Sequence, residues 1–121
     1  MHAKSPRWLE DIVRSAAFVK KVTADVTFAD FDSNLLLRSG VERHFEIIGE
    51  ALRRLEDTDP ATAARISGYR TAIGFRNRLA HRYDDIDNAQ VWEIIHYTLP
   101  VLLADAGQLL LEAEIGVIDE P

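Results

Sequence analysis

Apolar residues recur at steps of three and four along nearly the whole chain, and this periodicity constrains the fold more than any other feature. After Ser5 and Pro6, read as an N-cap and a first helical position, come Leu9, Ile12, Val13, Ala16, Val19 and Val22. An amphipathic helix of about five turns is expected there. The stretch TFADFDSN reads as a short turn or helical corner, and Leu35 to Leu55 then carries apolar residues at 37, 41, 45, 48, 52 and 55. Pro60 ends that second long helix, and Ala61 to Ser67 supplies one or two turns before Gly68. A further helix is predicted from Tyr69 or Arg70 to Leu79 or His81. Asp84, Asp85 and Asp87 form a turn or N-cap cluster, after which Val91, Ile94, Ile95, Thr98, Leu102, Leu109 and Leu110 mark a last long helix kinked near Pro100. No alternating strand pattern of useful length competes, so the predicted class is all-α, an antiparallel bundle of four or five helices.

Length fits one helical domain over residues 1–121, since a chain of this size buries about two thirds of its unfolded surface. The absence of cysteine removes disulfides, thiolate metal sites and thiol nucleophiles and agrees with a cytoplasmic setting. The start, MHAKSPRWLED, lacks the apolar core of a signal peptide. Between Val91 and Leu111 the apolar run is interrupted by Glu93, His96, Pro100 and Asp105, so no membrane contact is expected. A net charge of −6 opposes whole-surface attraction to nucleic acid. Any such contact requires a local basic patch.

One window meets that requirement. Between Asp59 and Asp84 there is no acidic residue, whereas Arg65, Arg70, Arg76, Arg78 and Arg82 supply five of the fourteen Lys and Arg side chains. Guanidinium forks match phosphate oxygens bidentately, and the alternative for such a run is a solvated face paired with nearby aspartates. His81 lies inside the window, and an imidazole can give or take a proton near neutrality. Cleaving an RNA phosphodiester without metal needs proton transfers at the 2′-hydroxyl and the leaving oxygen, plus a cation for the crowded phosphate. The bland role for His81 is capping or packing at a helix end. On a continuous helix Asn77 and His81 share a face, so the amide could orient the imidazole, while Arg76 and His81 stand about 140° apart. Either the helix unwinds before His81, or arginine and histidine converge on substrate across a two-fold interface.

At these residues the chain resembles HepT-like toxins of the HEPN superfamily. RNRLAHRY, Arg76 to Tyr83, matches the R-x-x-x-x-H-x-Y signature; WLEDIV, RHFEIIGEALRRL, AIGFRN and VWEIIHYTLPVLL resemble the flanking helices in order, from Trp8 to Leu110. The resemblance implies an all-α homodimer and a metal-independent endoribonuclease that requires no cofactor. It also implies the toxin role in a prokaryotic toxin–antitoxin pair, with RNA as substrate and a minimal nucleotidyltransferase that attaches AMP to Tyr83 as antitoxin. Carried over by position, Arg76 and His81 form the catalytic pair, Asn77 and Arg43 support it, and Arg70, Arg78 and Arg82 are the candidate RNA contacts. His44, Ala80 and Arg82 depart from the family pattern, which often has asparagine, a larger aliphatic residue and an acid there.

Three other readings compete with this one. Glu93-x-x-His96 has the spacing of a di-iron bundle motif, but that site needs two such motifs and two more glutamates. The Asp84, Asp85, Asp87 cluster with His81 could hold magnesium. A non-catalytic helical module that binds nucleotide or RNA and dimerises, with Arg76 and His81 holding a phosphate, is the principal alternative to a nuclease.

Overall fold

The structure is a computed structural model that describes residues 1–81 and 86–119, with side chains through residue 116 in the last helix. Among the described residues seven α-helices follow in order: α1 Ser5–Thr23, α2 Phe28–Ser33, α3 Leu35–Thr58, α4 Pro60–Ala63, α5 Tyr69–His81, α6 Asn88–Glu93 and α7 Leu99–Asp119. A π-helical turn, Ile94–Thr98, joins the last two, and no strand occurs among the described residues. The protein is an all-α, HEPN-like bundle. α3 lies at its centre between α1 and α5, and α1 in turn packs on α7.

The predicted apolar stripes form the core. Leu9, Ile12, Ala16 and Val19 of α1 and Val41, Phe45, Ile48, Leu52 and Leu55 of α3 are fully buried, as are Leu99, Leu102 and Leu109 of α7. Burying a side chain of this size is worth about 1.5–3 kcal/mol, so these rows decide which helix faces meet. TFADFDSN resolves into α2, capped by Thr27, whose hydroxyl accepts the Asp30 N–H at 3.1 Å. Its Phe31 stacks on Trp92 with ring centroids 5.2 Å apart, which ties α2 to α6. Asn34 and Asp87 cap α3 and α6 in the same way, accepting backbone N–H groups of Leu37 and Ala89.

Two expectations change. The irregularity before Pro100 is a π turn: Leu99 N–H donates to the Ile94 carbonyl, five residues back. Proline has no N–H and its ring crowds the carbonyl four residues earlier, so the ladder passes this point by a wider turn. Ser5 is not the N-cap of α1. The helix begins at Ser5 itself, Lys4 precedes it without a side-chain cap, and Pro6 sits in the first turn. The Ser5 hydroxyl instead donates to Asp59 Oδ2 at 2.7 Å.

Asp59 therefore joins distant parts of the chain. It caps α4, taking the Thr62 hydroxyl at 2.7 Å, and receives the His2 backbone N–H at 2.9 Å beside the Ser5 bond. Partial desolvation pushes this carboxyl up, but the bonds from His2, Thr62 and Ser5 outweigh it and hold it well below the usual carboxylate range. Its stabilising effect is then present above the unfolded value near ~4 and lost as pH falls through the lower folded one. Asp59→Ala should cost about 1 kcal/mol in urea denaturation at neutral pH, as lost N-caps do. The gap between variant and wild type should narrow in strong acid, and a pH-independent gap would contradict this account.

Candidate active site

The site begins with a glycine. At Gly49 the central helix α3 meets α5 so closely that a Cβ there would overlap Cβ of Arg76 and come within 3.2 Å of the Ala72 carbonyl oxygen. One turn before it on α3, Phe45 meets Phe75 edge-on with centroids 5.2 Å apart. The aromatic pair sets the register of the two helices, and the missing Cβ leaves room for the arginine stem. Gly68 matters for the same helix. Its φ of +79° makes the turn into α5, and a Cβ there would lie 2.7 Å from Cγ2 of Thr98 on the π turn. Ser67 N–H, just before, donates to Asp105 Oδ2 of α7 at 2.8 Å. The start of α5 is thus fastened to α7 and its middle to α3.

So placed, Arg76 projects into a cleft of about 440 Å³ between α1, α3 and α5. Arg7, Trp8 and Asp11 line it from α1, Arg43, Glu46, Glu50 and Arg54 from α3, and Arg76 and Ala80 from α5. Four guanidinium groups meet three carboxylates here. Glu50 holds two of the arginines at once, with Arg76 Nη2 at 2.9 Å on Oε2 and Arg54 Nε at 3.1 Å on Oε1. Arg43 lies 3.5 Å from Glu46, and Arg76 also donates to the Asn77 amide oxygen at 3.2 Å. The Arg76 side chain is 25% exposed, against 68% for Arg43, so Arg76 is the more confined cation.

The structure brings together Arg43, Arg76 and Asn77 among the sequence-predicted residues, and it separates others. α5 runs without a break to His81, which is exposed at its last turn. Unwinding before the histidine is therefore ruled out, and Arg76 and His81 point about 140° apart and roughly 7.5 Å along the axis. Asn77 directs its oxygen to Arg76 rather than to the imidazole. Arg70 lies over its neighbour Tyr69 and 4.0 Å from Glu56, and Arg78 donates to Gln90 at 3.2 Å. Neither lines the cleft. Arg65 is paired with Glu112 of α7 at 2.7 Å. The basic window is thus dispersed around α5, because positions 70, 76 and 78 fan out at about 100° per residue. Arg82, Tyr83, Asp84 and Asp85 lie outside the described residues.

Sequence reasoning missed Gly49, Glu50, Arg54 and Arg7. The i, i+4 spacing of Glu50 and Arg54 was a readable signal; the approach at Gly49 was not. His44 packs its ring on Phe18 with centroids 4.2 Å apart, and its Nδ1 lies 3.1 Å from the Ser15 hydroxyl. Desolvation first, and then the charge of Arg43, lower its pKa from the ordinary histidine value. His96 sets its Nδ1 2.8 Å from the Trp92 carbonyl, and no group of three His, Asp or Glu suited to a metal occurs among the described residues.

Fold and cleft together define an all-α bundle that gathers arginines from three helices around Arg76, with a histidine at the end of the same helix. The family described as Ribonuclease HepT-like matches residues 12–109. The chain belongs to this HepT-like ribonuclease family of the HEPN superfamily. Among its relatives, "Putative RNase MJ1380" of Methanocaldococcus jannaschii is 33% identical over 93 residues, 77% of this chain and 84% of the relative. "Putative RNase TTE0752" of Caldanaerobacter subterraneus subsp. tengcongensis is 28% identical over 88% of this chain and 96% of its own length. "Probable ribonuclease HepT" of Thermococcus cleftensis is 27% identical over 78% of this chain and 86% of the relative.

Gly49→Ala tests the approach that places Arg76. Forcing a methyl between helices costs about 1–3 kcal/mol. Gly40→Ala is the matched control on the same helix, since nothing lies within 4 Å of a Cβ there. We expect the first to lower the midpoint of chemical denaturation and the second to leave it unchanged or raise it. Equal midpoints would mean that the contact at Gly49 has no energetic consequence.

Proposed function

We propose that this chain is a metal-independent endoribonuclease acting as the toxin of a prokaryotic type VII toxin–antitoxin pair, with Arg76 and His81 as its catalytic residues. The observation that carries the reading is the burial of the Arg76 stem against Gly49, which presents one confined guanidinium in a cleft where Arg7, Arg43 and Arg54 also face. The ribonuclease names of the relatives support it.

In the proposed reaction the 2′-oxygen of a ribose attacks the adjacent phosphorus and the bond to the 5′-oxygen breaks, leaving a 2′,3′-cyclic phosphate and a 5′-hydroxyl. One proton leaves the 2′-hydroxyl and one reaches the departing oxygen, and His81 serves one of these transfers. Arg76 stabilises the charge that grows on the phosphate oxygens, with Arg43 and Asn77 holding substrate and guanidinium in place. Because Arg76 and His81 diverge on a straight helix, the reading includes a two-fold homodimer in which each copy supplies half of the cleft. Arg70, Arg78 and Arg82 act outside the cleft, as contacts along a longer RNA.

His81→Ala and Arg76→Ala should each slow RNA cleavage by ~10²–10⁴-fold with little loss of fold, and Arg76→Lys should not restore it fully. Wild-type rates in either alanine variant would remove the catalytic assignment. Intact RNA retained by the wild-type protein would favour the non-catalytic binding module instead. In solution the active protein should be at least a dimer by light scattering, and a monomer that still cleaves would refute the shared cleft.

Regulation follows from Tyr83, two residues beyond the histidine. A cognate nucleotidyltransferase would join the tyrosine hydroxyl to the α-phosphorus of ATP and release pyrophosphate. The added phosphate and purine would compete with RNA for the arginines by charge and by volume. Intact mass after incubation with that enzyme, ATP and magnesium should show one AMP and silenced cleavage, and Tyr83→Phe should escape both. Equal modification of Tyr83→Phe would place the acceptor elsewhere.

A further inference from the structure

The two sides of α5 lead to different surroundings. Arg76 and His81 diverge, but Arg78 and His81 lie three residues apart, so their side chains leave the helix about 60° from each other. Arg78 therefore belongs to the histidine's side of α5 and stands roughly 160° from Arg76. That side faces α6 and the π turn, where Arg78, Gln90, Glu93, Ile94, Tyr97 and Thr98 line a cavity of about 290 Å³. The core fixes its walls. Ile94 is buried, Thr98 closes over Gly68, and the Arg78 guanidinium lies 5.5 Å over the ring of Phe75, itself buried against Phe45.

The groups around this cavity do not make a phosphate site. One guanidinium shares it with the Glu93 carboxylate, which repels a phosphate, whereas the Arg76 cleft gathers four guanidinium groups. What they offer instead is a set of donors and acceptors around an aromatic plane. Arg78 Nη1 donates to Gln90 Oε1 at 3.2 Å, which engages the amide oxygen and leaves the amide NH₂ and the rest of the guanidinium fork as donors. Glu93 is exposed and, ionised, only accepts. Tyr97 presents its ring, 77% exposed, from the π turn, and an exposed aromatic beside a cation is a surface on which unpaired bases stack. Guanine alone among the four bases carries two adjacent donors, N1–H and the N2 amine, together with the O6 and N7 acceptors. The donors match a carboxylate and the acceptors a guanidinium fork. Adenine, cytosine and uracil each offer a carboxylate one donor group at most.

We propose that Arg78, Glu93 and Tyr97 form a guanine-binding subsite for single-stranded RNA on the histidine's side of α5. Tyr97 stacks the base, Glu93 accepts from N1–H and the N2 amine, and Arg78 donates to the O6 and N7 side. The ligand class rests on the ribonuclease reading above, and the subsite deepens it: the copy that supplies His81 also reads a base close to the scissile phosphate. Pairing in a duplex engages the N1–H and the N2 amine of guanine, so the subsite selects unpaired RNA.

Binding tests the subsite independently of cleavage. Fluorescence anisotropy of the full chain would compare four 2′-O-methyl RNA heptamers, whose blocked 2′-oxygens cannot attack, each of six uridines around a central guanosine, adenosine, cytidine or uridine. The guanosine heptamer should bind about tenfold tighter than the other three. Glu93→Gln separates recognition from charge: it should weaken the guanosine heptamer about tenfold and leave the others equal or tighter, because a carboxylate that repels phosphate is gone. Tyr97→Ala should weaken the guanosine heptamer about tenfold, and Tyr97→Phe, which keeps the ring, should bind as wild type does. Equal wild-type binding of the four heptamers, or tightening of all four by Glu93→Gln, overturns the subsite. A guanosine preference without cleavage of the matching unmodified RNA leaves the subsite standing and removes the nuclease reading; cleavage without that preference does the reverse.

Discussion

The approach of α3 and α5 at Gly49 is the constraint on which the rest of the site depends. Two helix backbones come within the reach of a single missing methyl, and the Arg76 stem fills the space beside them. Phe45 and Phe75 lock the register beside the contact, so the guanidinium emerges at one place and not a turn away. An arginine on a longer lever, standing off the bundle, would spend side-chain entropy on every contact it made. Here much of that entropy is already lost on folding, since the side chain is three-quarters covered.

Charge within the cleft follows from that placement. Four arginines from three helices would repel one another if left alone, and Glu50, Glu46 and Asp11 offset the repulsion before any substrate arrives. Glu50 matters most, because its two oxygens take Arg76 and Arg54 separately and fix the distance between them. In the proposed reaction a phosphate replaces part of what this carboxylate supplies. With four arginines against three carboxylates the cleft keeps an excess of one positive charge, the reverse of the chain's net charge of −6.

The last helix serves the site from behind. Its π turn lets the ladder pass Pro100, and Thr98 on that turn closes over Gly68 while Asp105 takes the N–H of Ser67. The entry into α5 is therefore held by α7, and α7 is held by α1 through the buried row of Leu99, Leu102 and Leu109. That leaves Val101, Leu111 and Ile115 on the far side of α7 exposed.

Sequence alone determined the helices and most of their ends, because those depend on contacts within four residues along the chain. The three- and four-residue apolar spacing, Asp87 before α6 and Gly68 before α5 all act locally and were legible for that reason. Ser5 was misread because its partner, Asp59, lies 54 residues away. Only tertiary structure decided that Arg70 and Arg78 leave the cleft while Arg7 and Arg54 enter it, and that Gly49 is a contact rather than a weak point in a helix. Those outcomes depend on which faces of α1, α3 and α5 meet and at what separation, and a one-dimensional pattern records which side of a helix is apolar but not the helix that covers it.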